Sequence, residues 1–425
     1  MIEAPRRFRE SRRRFLAASA SLAGGIATGL LGSSRANSAD TAQQDNLPPY
    51  TPRWMKEQGA PIQSPPYGLP SPFEKDVIRR PRVATPTSTA ASTNTPLQSL
   101  HGIITPNGLH FERHHAGVPA IDPEQHRLIV HGLVERPLIF TMDDIARFPS
   151  ESHIHFLECS GNTSWTGATE KSTVQHTHGL LSCCEWTGVR LSTLLAEVGA
   201  KPEATWVLAE GADAAAMSRS VPIAKALDDA LIVYAQNGEH LRPEQGYPLR
   251  LFLPGYEGNI NVKWLRRLKL GEQPFQTREE TSKYTDLMPD GTARQFTFIM
   301  EAKSVITFPS GGQQLRGNGF YEISGLAWSG HGRIKRVEIS TDSGASWQEA
   351  QLQEPVLPKC LTRFRLPWSW DGAPAQLQSR AIDDTGYVQP RRPQLVDIRG
   401  LNSFYHNNGI QAWQVAPGGA VSNVV

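Results

Sequence analysis

One cysteine stands where chemistry is possible. The run His155-Phe156-Leu157-Glu158-Cys159-Ser160-Gly161-Asn162 alternates as a strand and then breaks into a glycine-containing turn, which puts a thiol at the strand end. Most cysteines are buried and inert, but this one is flanked by Glu158, Ser160 and Asn162. Zinc does not suit it, because no second cysteine stands at C-x-x-C spacing. No C-x-x-C-H stretch exists, so no haem is attached to this chain. A lone soft thiolate on a turn suits a metal whose other ligands come from a cofactor. The adjoining Cys183 and Cys184 read as two buried thiols rather than a strained vicinal disulfide. His153 with His155, and His176 with His178 in an extended segment, would share strand faces. With no third ligand specified, they read as exposed or hydrogen-bonded side chains.

The elements that must position this turn are short and mostly extended. Thirty-six glycines and 32 prolines in 425 residues point to many turns, and four cysteines exclude a disulfide scaffold. The length allows two or three domains with real cores. Forty-three basic against 41 acidic side chains give no field for nucleic acid, and a mean hydropathy of −0.38 excludes a polytopic membrane protein. From 101 to about 285 strands alternate with a few helices. Residues 127–132 and 153–157 read as strands, 191–198 as a helix with Ser192 as its cap, and 249–253 as a buried strand ended by Pro254-Gly255. From about 298 the pattern is purely β. Runs at 321–328 and 334–340, an Asp342-Ser343-Gly344 hairpin turn into 346–349, and runs at 363–366 and 377–382 suffice for a β-sandwich. The fold class expected is α+β: a mixed α/β domain at 101–285, then a β-sandwich at 298–425.

Ahead of these domains lie two other segments. Ser11-Arg12-Arg13-Arg14-Phe15-Leu16 precedes an apolar run over 17–32 and small residues to 39, a pattern that resembles the twin-arginine signal for export after folding. The expected compartment is the bacterial periplasm, with no membrane span after signal removal. Residues 1–39 hold seven arginines and two acids, so removing them turns a net +2 into −3. Residues 40–100, with Pro48-Pro49, Pro52, Pro61, Pro65-Pro66, Pro70 and Pro72, cannot bury enough apolar area for a core of their own. They read as an extended arm lying on the body or a partner-binding strap, with a plain linker as the alternative.

Several ordered motifs carry a resemblance. Phe111-Glu112-Arg113-His114-His115-Ala116-Gly117-Val118-Pro119, Cys159-Ser160-Gly161-Asn162, Glu185-Trp186-Thr187-Gly188-Val189-Arg190-Leu191, Gly246-Tyr247-Pro248-Leu249-Arg250 and Asn261-Val262-Lys263-Trp264-Leu265 resemble the molybdenum-pterin domain of the sulfite oxidase family. Ile323-Ser324-Gly325-Leu326-Ala327-Trp328-Ser329-Gly330 is similar to that family's immunoglobulin-like dimerisation domain. Within the family, Thr177-His178-Gly179-Leu180-Leu181-Ser182-Cys183 and Thr281-Ser282-Lys283-Tyr284-Thr285-Asp286 look like the SoxC-type subunit of sulfane (sulfite) dehydrogenases.

The resemblance implies one molybdenum–molybdopterin per chain, with Cys159 as the one protein ligand to the metal. It implies Arg113 facing the substrate oxyanion and Tyr284 near the metal's oxo group. It implies that His115, Asp213, Gln245, Arg250 and Lys263 hold the pterin and its phosphate, with Phe111, Glu112, His114, Asn261 and Val262 beside them. It implies oxidation of sulfite or carrier-bound sulfane sulfur, with electrons leaving to a diheme or other c-type cytochrome subunit, and a homodimer within a heterotetramer. Two departures stand out. Many sulfite oxidases continue the turn with two arginines where this chain has Thr163-Ser164, and Gln245 replaces a common histidine. Losing a cation there weakens the case for a small free dianion and favours sulfur brought in on a carrier protein. The alternatives are an S-oxide (methionine sulfoxide) reductase, which the paired Arg113 and Tyr284 motifs and the full second domain disfavour, and a non-catalytic periplasmic scaffold.

Overall fold

Residues 150–158 and 181–190 form the longest strand pair of the first domain in this computed structural model, which describes residues 69–81, 87–163, 168–401 and 404–425. The arginine-rich leader and most of the proline-rich arm lie outside these described residues. Residues 70–425 form one compact unit.

Ser150–Glu158 and Leu181–Arg190 run antiparallel, in register from Ser150↔Val189 to Glu158↔Leu181. Leu231–Gln236 pairs next to Leu181–Arg190, and takes both Glu239–His240 and Arg250–Phe252 as further partners. A second five-stranded sheet has the order Leu138–Phe140, Leu128–Gly132, Leu265–Gly271, Trp206–Gly211, Ser218–Pro222. Its one parallel pair is Leu265–Gly271 with Leu128–Gly132. The helix Leu191–Val198 buries Leu191, Leu194, Leu195 and Val198, an i, i+3, i+4, i+7 stripe. That stripe joins the sheets in one cluster with Val130, Val189, Val207, Ile232, Leu251 and Leu268. Its N-cap is Arg190 rather than Ser192, because the helix starts directly where Leu181–Arg190 ends. Gly199, at φ +66°, closes it in the left-handed conformation.

The second domain is a sandwich of antiparallel sheets. One has the order Lys303–Phe308, Gly319–Trp328, Thr362–Trp370, Gln351–Leu352; the other runs Gln348–Glu349, Ile334–Ser340, Ala375–Asp383, Ala412–Val415, Val421–Asn423. The Asp-Ser-Gly turn is formed, with Glu338↔Glu349 and Ile339↔Gln348 paired across it. The half is not purely β, since the helix Arg392–Arg399 interrupts it. Val305, Ile323, Phe364, Val337, Leu377 and Trp413 fill the sandwich, and the same cluster takes in Phe156, Val174, Leu181 and Cys183 of the first domain.

The described part of the arm lies on this body. Ser92–Asn94 pairs with Arg80–Pro81 and Glu112–Arg113, and Leu97 is fully buried in the shared core. Among the described residues no helix is long and apolar enough to cross a membrane.

Candidate active site

The strand Ser150–Glu158 ends one residue before Cys159, and the turn beyond it is pinned from several sides. Asn162 donates its backbone N–H to Cys159 O at 2.8 Å, while its Nδ2 reaches Glu158 Oε1 at 2.9 Å and His178 O at 3.1 Å. The Glu158 carboxylate is fully buried and neutralised by Lys303 Nζ at 2.8 Å, with Trp328 Nε1 donating to its other oxygen at 2.7 Å. Both partners come from the second domain. Behind the turn passes Gly258, where a Cβ would lie 2.8 Å from Glu158 O and 3.2 Å from Cys159 Cα. Only glycine allows that approach.

Cys159 faces a cleft formed by strand ends and loops of the first domain. Phe111, Arg113, His114, His115, Asp213, Gln245, Arg250, Asn261, Val262, Lys263 and Tyr284 also line it, so the structure brings together all but one of the sequence-derived residues. The exception is Glu112, which stands beside the cleft, paired with Arg79 at 2.6 Å and His114 at 2.8 Å.

At the thiol end, Tyr284 Oη and His115 Nε2 lie 3.3 Å apart. Burial, then the charge of Arg113, lowers His115 to about 4, so its imidazole is neutral at physiological pH. Burial, followed by the negative charge of Cys159, pushes the Tyr284 phenol well up, which keeps its O–H. Tyr284 also sits at φ +48°, a left-handed backbone that is uncommon for an aromatic residue and found at functional sites.

At the other end are two desolvated cations. Arg250 is buried, donates to Gln245 O at 3.0 Å and Asn261 O at 3.2 Å, and stacks 5.0 Å over Trp186. Its Nε has no partner, and burial lowers it to about 9. Lys263 Nζ bonds Arg113 O, His114 Nδ1 and Glu244 O at 2.9–3.0 Å, and is lowered to about 7 by burial and then by Arg250. Asp213 is the one carboxylate lining the cleft against Arg113, Arg250 and Lys263. A cleft with excess buried cation and an orphaned guanidinium N–H fits a phosphate-bearing group, and the thiol at its far end fits a soft metal. Gln245 fixes the Phe111 loop by donating to Phe111 O at 2.9 Å. Asn261 is spent on backbone, accepting from Leu253 N at 2.6 Å and donating to Glu257 O at 2.8 Å, so it shapes the cleft wall.

Sequence reasoning missed Met217, Gly258, Asn259 and Trp264, which also line the cleft. Trp264 lay inside a quoted motif, and its ring sits 4.4 Å under Lys263 Nζ. The other candidates resolve as structural. His153 pairs with Glu151 at 2.9 Å, His155 with Lys359 O at 3.2 Å, and His176 and His178 lie on the helix Val174–His178 rather than in an extended segment. Among the described residues no three His, Cys, Asp or Glu side chains form a metal-binding group. Cys183 and Cys184 are separate thiols on opposite faces of their strand. Cys183 Sγ lies 3.5 Å from Cys360 Sγ, whereas Cys184 Sγ accepts from Gln236 Nε2 at 3.0 Å, and burial raises Cys184 to about 12. Thr163 Oγ1 accepts from Lys303 Nζ at 2.7 Å.

Comparison with known proteins agrees with this geometry. Residues 115–279 match the oxidoreductase molybdopterin binding domain and residues 294–413 the Mo-co oxidoreductase dimerisation domain. Mitochondrial sulfite oxidase of Rattus norvegicus is 30% identical over 377 residues, covering 82% of this chain and 69% of the relative. Nitrate reductase [NADH] of Ulva prolifera is 34% identical, over 63% of this chain and 34% of that protein. The crystal structure of the sulfane dehydrogenase SoxCD from Paracoccus pantotrophus superposes with a TM-score of 0.85 at 49% identity, covering 88% of this chain and 96% of that one.

Proposed function

Because the chain belongs to the sulfite oxidase family of molybdopterin oxidoreductases, we propose that it is the molybdenum subunit of a periplasmic sulfane (sulfite) dehydrogenase of thiosulfate oxidation. Family membership alone does not choose the substrate, since a nitrate reductase shares the same domain. The observation that carries the reading is a single cleft joining the Cys159 thiol, Arg113 and the Tyr284–His115 pair to two buried cations. The 49% identity to a sulfane dehydrogenase supports the same choice.

Cys159 would hold the metal; Gln245, Arg250 and Lys263, with the loop bearing Asn261 and Val262, would hold the pterin and its phosphate. When bound, the molybdenum–pterin group supplies two-electron oxidation of a sulfur donor with water as the source of oxygen. Arg113 offers a fixed positive fork to oxygens on the sulfur. Tyr284 keeps a hydrogen-bond donor beside the thiol, and neutral His115, half-buried, accepts from it and can pass a proton outward. The turn after Cys159 carries Thr163 where a cation could stand, and Lys303, bonded to Thr163 Oγ1, is spent on Glu158. That favours sulfur carried on a protein arm over a free dianion.

The arginine-rich leader supports twin-arginine export, and the absence of a haem-attachment motif in this chain calls for a diheme or other c-type cytochrome subunit as acceptor. The sandwich would join two such chains in a heterotetramer. Cytochrome c reduction by the purified complex, with free sulfite against a persulfidated carrier protein, tests the proposal. Turnover on the carrier is expected; robust turnover on sulfite with none on the carrier overturns it.

A further inference from the structure

The cysteine turn is held from the outside by residues distant in sequence. Its carbonyls at Ser160 and Thr163 lie beyond the end of the strand and have no ladder to join. His406 donates its backbone N–H to Ser160 O at 2.8 Å, and Asn407 Nδ2 donates to Thr163 O at 2.6 Å. Thr163, at φ +58°, returns the contact by donating Oγ1 to Asn407 O at 2.5 Å. The His406 ring is tied in turn, with Nε2 lying 3.0 Å from Glu257 Oε2. The other oxygen of Glu257 takes Arg219 Nη2 at 3.0 Å, and that guanidinium lies 5.3 Å over the Tyr284 ring. Tyr405, next to His406, packs 5.1 Å from the same Tyr284 ring. His406, Asn407, Glu257 and Arg219 are all buried.

We infer that residues 404–408 form a clasp, supplied by the second domain, in which His406 and Asn407 are positioning residues for the Cys159 turn. The inference rests on the reading that Cys159 is the metal's protein ligand. A single ligand on a turn has no neighbouring protein ligand to fix its direction, so the turn's own anchorage sets where the sulfur points. The clasp provides that anchorage on the limb that the sheet does not reach, and through Glu257 and Arg219 it couples the sulfur side of the cleft to Tyr284.

Two readouts on the full chain test this, one on the metal-free protein and one on the loaded enzyme. In the metal-free chain, alkylation of Cys159 by iodoacetamide, followed by mass spectrometry, is expected to run about tenfold faster in Asn407→Ala, which removes the side-chain bond to Thr163 O, and faster in His406→Ala, which keeps the backbone bond to Ser160 O but loses the ring's tie to Glu257. In the loaded enzyme, both variants should lose molybdenum about tenfold faster under dialysis and show an altered Mo(V) resonance, the usual scale for outer-shell partners of a metal ligand. His406→Gln, which retains a donor toward Glu257, should stay within about threefold of the parent. Should His406→Ala fail to fold, Asn407→Ala decides the matter, with His406→Gln as its control. Alkylation and metal release that match the parent in Asn407→Ala, or a His406→Gln variant that departs from the parent as far as Asn407→Ala does, overturn the clasp. A parent chain that takes up no molybdenum overturns the proposed function instead, and the alkylation arm still judges the clasp.

Discussion

Replacing Lys303 by methionine tests whether the carboxylate one residue before the thiol is neutralised from the second domain. Lys303 and Glu158 are 1% and 0% exposed, with Nζ 2.8 Å from Oε1. Methionine keeps most of the lysine stem but removes the charge and the bonds to Glu158 and to Thr163 Oγ1. Glu158 then retains two neutral donors, Asn162 Nδ2 at 2.9 Å and Trp328 Nε1 at 2.7 Å. Breaking a buried pair from one side costs about 3–5 kcal/mol, and two surviving donors place this case at the lower end, about 3 kcal/mol. The assay is urea unfolding of the full chain for K303M, E158Q and the double variant. Glu158→Gln alone strands a buried ammonium and should cost a similar amount. The double variant removes both charges and should return to within about 1–2 kcal/mol of the parent, a coupling that only a direct pair produces. The reasoning fails if K303M lies within about 1 kcal/mol of the parent, or if the double variant is as unstable as the sum of the singles.

Elemental analysis of the parent should find about one molybdenum per chain, falling to a trace in Cys159→Ser; retention with activity in that variant would remove Cys159 from the metal. Tyr284→Phe keeps the ring against Tyr405 and Arg219 but loses the bond to His115. Its kcat should fall by about 10²-fold at unchanged metal content, and an unchanged kcat would deny the phenol a role in proton handling. Stability should fall on acidification, because His110 titrates at about 3 and His155 at about 4 when folded, both lowered chiefly by burial. Unfolded histidine takes its proton near 6.5, so the unfolded chain binds more protons in the interval. The urea midpoint should then hold above about pH 6.5 and drop towards pH 4, whereas a flat profile contradicts the buried neutral imidazoles.

The fold was legible where side-chain period and turn chemistry agreed. Ile334–Ser340 appears with the bounds its alternation implies, and the Asp-Ser-Gly turn behind it is formed. The helix Arg392–Arg399 was hidden because it is only eight residues long and opens on Arg392-Pro393, with Leu395 its one buried aliphatic residue. His176 and His178 looked extended because a five-residue helix is too short to show a 3.6 period; what starts it is Thr173, whose side chain accepts from His176 N. The cleft was legible where its residues carry distinctive chemistry: a thiol, guanidinium groups, a phenol. Gly258, His406 and Asn407 escaped because they act through close approach and backbone carbonyls, which no local pattern announces. Glu158 lay in the cysteine motif, but the lysine that neutralises it is 145 positions away.

That separation bears on what the second domain is for. A detachable dimerisation module would keep its own core and meet the catalytic domain through a polar surface. Here Phe156, Val174, Leu181 and Cys183 share one apolar cluster with Val305, Trp328 and Leu361, and Cys183 lies against Cys360 across the boundary. The cysteine turn draws its counter-charge from Lys303, a donor from Trp328 and two carbonyl partners from His406 and Asn407. A chain ended near 298 would expose that shared apolar face, leave Glu158 buried without its ammonium and free the far limb of the turn. The first domain lines the cleft, but the second holds the cysteine turn in place. Metal uptake should therefore be lost in such a truncation even where the first domain remains soluble, and recovery of a stoichiometric metal site without residues 299–425 would show that the turn stands by itself.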